Sequence, residues 1–198
     1  MRPGGVVSAA VFAVFGGLAL VLLQGNSGPD PAKWLLHQTG FFALALLVAT
    51  LAVSPLMRVL RKPLLVLWRR PLGLAGFLFA SVHVLVYVSV YQGFALAEII
   101  DDVVKRPYIL FGLLSWLLLV PLAMTSTRAA RRRMGQLWAR LHRAVYVIVP
   151  LGILHQGMAQ KADVGQTVLF AAFAGCFLIE RMLRRLLQRK KPGFDVDA

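Results

Sequence analysis

Apolar residues in this chain follow neither the three-to-four spacing of a half-buried helix nor the alternation of a strand; they run on for about 20 positions at a time. A bilayer core of about 30 Å needs about 20 helical residues at 1.5 Å each, so every such run predicts a membrane-spanning helix. Six runs are present, at approximately Gly5–Gln24, Trp34–Met57, Pro71–Gln92, Pro107–Thr125, Ala144–Gln160 and Val164–Ile179. The expected fold is an all-α integral membrane protein: a six-transmembrane helix bundle, one domain over 1–198, with a basic tail over 181–198. The first run follows Arg2, is long for the apolar part of a signal peptide, and has no clear small-x-small site after Leu23, so it reads as an uncleaved span.

The connections between the runs differ in charge. Arg58, Arg61, Lys62, Arg69 and Arg70 lie between spans two and three, and Arg128, Arg131, Arg132, Arg133, Arg140 and Arg143 between spans four and five. Arg181, Arg184, Arg185, Arg189, Lys190 and Lys191 follow span six. With Arg2, 18 of the 22 Lys and Arg residues therefore fall on one side of a six-span chain. The other side holds Lys33, Lys105, Arg106 and Lys161 together with Asp30, Glu98, Asp101, Asp102 and Asp163. By the positive-inside rule both termini of this multi-pass membrane protein are expected to be cytoplasmic.

Composition agrees: 59% of residues are hydrophobic and 15% charged, with mean hydropathy +0.72. That excludes a soluble domain, whose charged share is about 25%. The net charge of +14 sits in clusters between spans rather than in a stripe on a soluble domain, so no nucleic acid is expected as partner. Topogenic charge accounts for the clusters, with anionic lipid or a cytoplasmic electron donor as the other uses. The single cysteine, Cys176, can form no intrachain disulfide and is expected to be lipid-facing or packed. No internal repeat is evident, and the connections are too short to hold a nucleotide-binding module.

Chemistry at depth is left to histidine, because no acid falls inside the runs as bounded above. Imidazole in a bundle core ligates metal or haem, relays protons, or bonds a neighbouring helix. His83 follows Pro71 by 12 residues, about 18 Å of helix, and His155 follows Ala144 by 11, about 16 Å. Equal depth on different helices suits two axial ligands of one haem iron. His37 falls about 30 Å from the cytoplasmic end, at the outer surface, and His142 at the inner surface. The 13-residue step from His142 to His155 leaves them about 140° apart on an ideal helix, and a kink at Pro150 could close that angle.

Other polar residues read more simply. Ser81, Ser89, Ser115, Thr125 and Ser126 suit helix-to-helix bonds or bonds back to the preceding turn. Trp34, Trp68 and Trp138 suit an aromatic belt at the span ends. Arg106, before Pro107 and Tyr108, suits a helix start and interface anchor, or a contact for an anionic ligand or partner.

Several stretches together carry a family resemblance: His37-Gln-Thr-Gly40, Thr50-Leu-Ala-Val-Ser-Pro55, Arg69-Arg-Pro-Leu-Gly-Leu74, His83, Arg106-Pro-Tyr108, Leu122-Ala-Met-Thr-Ser126, Trp138 with Leu141-His142-Arg-Ala-Val-Tyr146, and His155. The chain resembles the MsrQ (YedZ) family of haem-binding membrane subunits, within the ferric-reductase-like transmembrane superfamily. The resemblance implies b-type haem, one or two per chain, and an association with FMN for which no motif is found here. It implies electron flow from the quinone pool or a cytoplasmic flavin reductase to a periplasmic molybdopterin subunit, MsrP, that reduces methionine sulfoxide in oxidised proteins. His83 and His155 carry over as the axial pair, His142 as a ligand of a second haem, and His37 as a further match.

Two axial ligands leave no open position, which predicts an electron carrier without substrate chemistry of its own. Arg106, Tyr108, Asp101 and Asp102 are the expected outer-face partner residues. Two other readings remain: a six-span transporter or metal permease with a histidine-lined pathway, and a ferric-reductase-type cytochrome.

Overall fold

The computed structural model describes residues 3–160 and 164–189, and among them every regular element is helical. Arg2, Lys161, Asp163, Lys190 and Lys191, which enter the charge count above, lie outside the described residues. Helix α1 is Pro3–Leu23 and α2 Pro31–Val59; a 3-10 segment, Pro63–Trp68, leads into α3, Arg69–Val86, which ends in a π-helical turn, Tyr87–Tyr91. A short α4, Leu96–Lys105, precedes α5, Pro107–Met124. Then come α6, Arg128–Met134, α7, Gln136–Leu141, a 3-10 turn His142–Ala144, α8, Val145–Ala159, and α9, Gly165–Arg189.

Six stretches are long and apolar enough to cross a membrane: Pro3–Leu23, Pro31–Val59, Pro63–Tyr91, Pro107–Met124, Gln136–Ala159 and Gly165–Arg184. The number matches the sequence reading, but three boundaries move by five residues or more. The third and fifth spans begin eight residues earlier than expected, because Pro63–Trp68 and Gln136–Leu141 are helical and run on into the apolar helices. His142 is therefore inside the fifth span rather than in front of it. The last helix runs past Ile179, so Glu180 joins the sixth span and corrects the expectation of acid-free helices; it is paired with Arg58 of α2 at 2.6 Å and with Arg184.

Local chemistry explains the starts. Asp30 caps α2 by accepting from the Lys33 backbone N–H at 2.9 Å, with Pro31 in the first turn. Thr127 caps α6 in the same way through Ala130 N–H, and α6 ends at Gly135, whose φ of +51° suits a residue without Cβ. Helix α2 packs along α3, α5 along α8, and α9 against α2 and α8. One core cluster joins Leu44, Leu47, Val48 and Leu51 of α2 to Leu119, Leu122, Ile148, Val149 and Ala174; a second stacks Phe79 on Phe15 at 4.5 Å, with Trp34 beside it. Phe12, Leu23, Val104, Leu169 and Cys176 are exposed, the surface of a bundle whose outer solvent is lipid.

The serines and threonines behave as read. Ser115 Oγ–H crosses from α5 to the Ile148 carbonyl at 3.1 Å, and Trp116 Nε1–H donates to Ser81 Oγ at 3.1 Å, tying α5 to α3. Ser89, Thr125 and Ser126 bond back to Leu85, Pro121 and Leu122.

Candidate functional site

His83 of α3 and His155 of α8 meet: their ring centroids are 5.9 Å apart, with the planes at 89°. Each ring is fixed from behind. His83 Nδ1 lies 2.8 Å from the Leu36 carbonyl of α2, and His155 Nδ1 lies 2.7 Å from the Tyr108 carbonyl of α5. A carbonyl only accepts, so both Nδ1 atoms carry the proton and donate, which leaves each Nε2 with its lone pair. The His83 ring rests on Gly40 and the His155 ring on Gly112, surfaces with no side chain between imidazole and helix.

The pair is nearer one end of the bundle than the sequence reading placed it. His83 is eight residues before Tyr91 and His155 four before Ala159, while their carbonyl partners open α2 and α5. All four therefore sit toward the face closed by the acidic connections. Equal depth holds; the shift follows from the earlier starts of spans three and five.

Above the pair, α4 is bound to the end of α3 through Asp102. Its carboxylate accepts from Tyr87 Oη at 3.0 Å and from Gln92 Nε2 at 2.5 Å, and pairs with Arg106 Nε at 3.3 Å. Asp101 pairs with Lys105 at 2.7 Å, both well exposed. Arg106 is exposed, and its pKa is raised above the ordinary value by a hydrogen bond with Tyr108 and then by the Asp102 carboxylate, so it is a fixed cation. The Tyr108 ring centroid is 6.1 Å from that of His155, making Tyr108 the link between the pair and this face. Of the four expected partner residues, Asp102 is thus turned inward as an anchor, whereas Asp101 and Arg106 present charge to the exterior.

His142 stands apart at the basic end. Its Nδ1 lies 3.1 Å from the Trp138 carbonyl, its ring stacks on the Trp138 indole at 3.9 Å, and its Nε2 is buried without a hydrogen bond of ordinary geometry among the described residues, with the Leu122 backbone close to the ring. Trp138 is more than a belt residue: its Nε1–H donates to the Thr125 carbonyl at 2.9 Å, and Arg131 covers its ring. His37 is exposed on α2, with no hydrogen bond or ring contact among the described residues. The structure therefore unites His83 with His155 and leaves His142 and His37 separate.

Sequence reasoning missed the four backbone partners: the carbonyls of Leu36 and Tyr108, and Gly40 and Gly112. It also found no repeat, yet the two halves of the site are built alike. In both, the accepting carbonyl precedes its histidine by 47 residues, and the glycine comes four residues after the carbonyl. At the same offset of 72 residues the two units share only eight identical positions, mostly apolar ones besides the glycine and the histidine, too little for sequence self-similarity to reveal. Among the described residues no group of three or more His, Cys, Asp or Glu comes together.

The profile of a family described as "Ferric reductase like transmembrane component" matches residues 39–153, which takes in His83, His142 and Tyr108. A Caulobacter vibrioides protein named protein-methionine-sulfoxide reductase heme-binding subunit MsrQ is 38% identical over 191 residues, covering 95% of this chain and 91% of its own. Its namesakes from Xanthomonas campestris and Brucella melitensis are 42% and 39% identical, covering 84% and 85% of this chain and 78% and 76% of their own. A profile across more than half of the chain and relatives aligned along most of it agree with six apolar helices around a histidine pair: the chain belongs to the MsrQ family of ferric-reductase-like transmembrane proteins.

Proposed function

We propose that this chain is a membrane electron carrier that binds haem b between His83 and His155. The paired imidazoles, 5.9 Å apart and each with Nε2 left free by its Nδ1–H bond, carry the reading. Two neutral nitrogen ligands are too few for an ion held by protein alone, such as tetrahedral zinc, but are the set required by an iron whose remaining positions a macrocycle fills. With metal–imidazole bonds of about 2 Å, two rings on one iron have centroids about 6 Å apart, and the 5.9 Å between His83 and His155 fits. The relatives' printed name, a heme-binding subunit, supports the same group.

Bound haem supplies one-electron redox chemistry. The chain's own part is to fix both imidazoles, hold their tautomers through Leu36 and Tyr108, and surround the site with apolar helix. Tyr108, against His155 and next to exposed Arg106, offers the path to the acidic face. There the reading places a periplasmic methionine-sulfoxide-reducing partner of the MsrP type, met by Arg106 and Asp101. On the basic, cytoplasmic face of an inner membrane it places the quinone pool or a flavin reductase as donor. The buried Nε2 of His142, which makes no hydrogen bond of ordinary geometry, suits a ligand to a second haem near that face. Among the described residues FMN finds no comparable fit in the open groove of about 290 Å³ beside Arg61, Lys62, Leu64, Leu65 and Trp68, which has cations and an indole but no enclosed bed for a flavin.

The test is the dithionite-reduced minus oxidised absorbance spectrum of the detergent-purified protein, with haem quantified per chain. The expected result is a low-spin b-type spectrum from which one haem equivalent is lost in His83→Ala and in His155→Ala alike, and the other equivalent in His142→Ala. A folded wild type without haem would overturn the reading and favour a transporter; the full wild-type haem content in both axial variants would overturn the ligand assignment.

A further inference from the structure

In an α-helix the carbonyl of residue i points toward residue i+4, and the side chain of i+4 leans back over it. A carbonyl inside a helix is thus normally screened from a neighbouring helix by that side chain. At both histidines the screening residue is glycine: Gly40 follows Leu36 by four, and Gly112 follows Tyr108 by four. A Cβ at Gly40 would stand 3.1 Å from His83 Nδ1 and Cε1; one at Gly112 would stand 2.7 Å from His155 Nδ1 and 2.9 Å from Cε1. Neither overlap is with the far end of a flexible chain, because each ring is held between two helices. Each carbonyl has a second lone pair beyond its helical bond, and the missing side chain opens that lone pair to the imidazole N–H.

We propose that Gly40 and Gly112 are positioning residues which, by opening the Leu36 and Tyr108 carbonyls, set the electron-donating strength of the two histidines and so the reduction potential of the group they hold. This rests on the haem reading above. An imidazole whose Nδ1–H is held by a carbonyl is a stronger donor to metal, which favours the oxidised iron. Alanine at either glycine pushes the ring away from the carbonyl, weakens that bond and raises the potential. The effect is larger at Gly112, where the overlap is closer.

The experiment is potentiometric titration and low-temperature EPR of the purified, haem-loaded full chain as wild type, Gly40→Ala, Gly112→Ala and Gly175→Ala. Gly175 is the control, since a Cβ there meets nothing within 4 Å. Expected is an upward shift worth at least tenfold in the ferric–ferrous equilibrium, about 59 mV for one electron, with altered low-spin g-values in the two site variants and neither change in the control. Haem at wild-type potential and g-values in both site variants would overturn the proposal, as would an equal shift in Gly175→Ala. If a site variant folds with wild-type helix content but without haem, the histidine beside it is changed to glycine and free imidazole supplied. Recovery of haem at a raised potential supports the proposal, and no recovery overturns it. Failure of both alanine variants to assemble would also overturn it, in favour of a packing role alone. A wild type without haem is a different result, and defeats the functional reading itself.

Discussion

At the scale of single residues, polar groups in this bundle are fixed by backbone as often as by one another. Ser115 is the clearest case, a buried hydroxyl on α5 whose partner is a carbonyl of α8 33 positions away. Interhelical hydrogen bonds in membranes average about 0.6 kcal/mol, so Ser115→Ala should lower stability by about that amount in an unfolding titration in mixed micelles, with the haem spectrum unchanged. A loss several times larger would mean that the hydroxyl holds more than one bond. The role of such residues was legible, since a lone serine in an apolar run has few other uses. Their partners were not, because a backbone acceptor leaves no signature in residue type. The same blindness hid the Leu36 and Tyr108 carbonyls, while the histidines that reach them stood out at once.

Among the elements, hydropathy located all six crossings and misjudged where helices begin. Arg140, His142 and Arg143 interrupt the apolar run, yet the backbone stays helical through α7 and the 3-10 turn into α8. That turn also changes the angle between His142 and His155. Three residues advancing about 120° each instead of 100° reduce the separation from about 140° to about 80°. Thus the offset enters at His142–Ala144, where sequence reasoning had looked to Pro150, a residue inside α8. Helix α9 shows a different limit: its apolar contacts were expected, its ionic clasp to α2 was not. Glu180 receives Arg58 and Arg184 with half-exposed side chains, so Glu180→Gln should cost about 1 kcal/mol. The thermal midpoint in detergent should fall, by less at high salt because exposed pairs are screened. Haem content should stay at the wild-type level, since α9 contributes neither histidine.

For the whole molecule, the decisive asymmetry is that the histidine pair lies toward one face while the Arg and Lys clusters lie on the other. Arginine and lysine near span ends are retained on the cytoplasmic side, so the basic connections through α6 and α7 should face the cytoplasm and α4 the periplasm. Two exposed alanines probe the two faces, Ala129 in α6 and Ala97 in α4. With Cys176→Ser as background, Ala97→Cys should react with a membrane-impermeant maleimide in intact spheroplasts. Ala129→Cys should react only after the membrane is opened. The reverse pattern would put His83 and His155 beside the cytoplasm and end the assignment of Tyr108 as the way out to a periplasmic acceptor, even if haem is bound. The expected pattern would leave a carrier whose pair sits next to the compartment it serves, with an electron from the cytoplasmic side having most of the membrane still to cross. A second redox centre would shorten that distance, and the buried Nε2 of His142, about 20 Å of helix below His155, is the seat proposed for it.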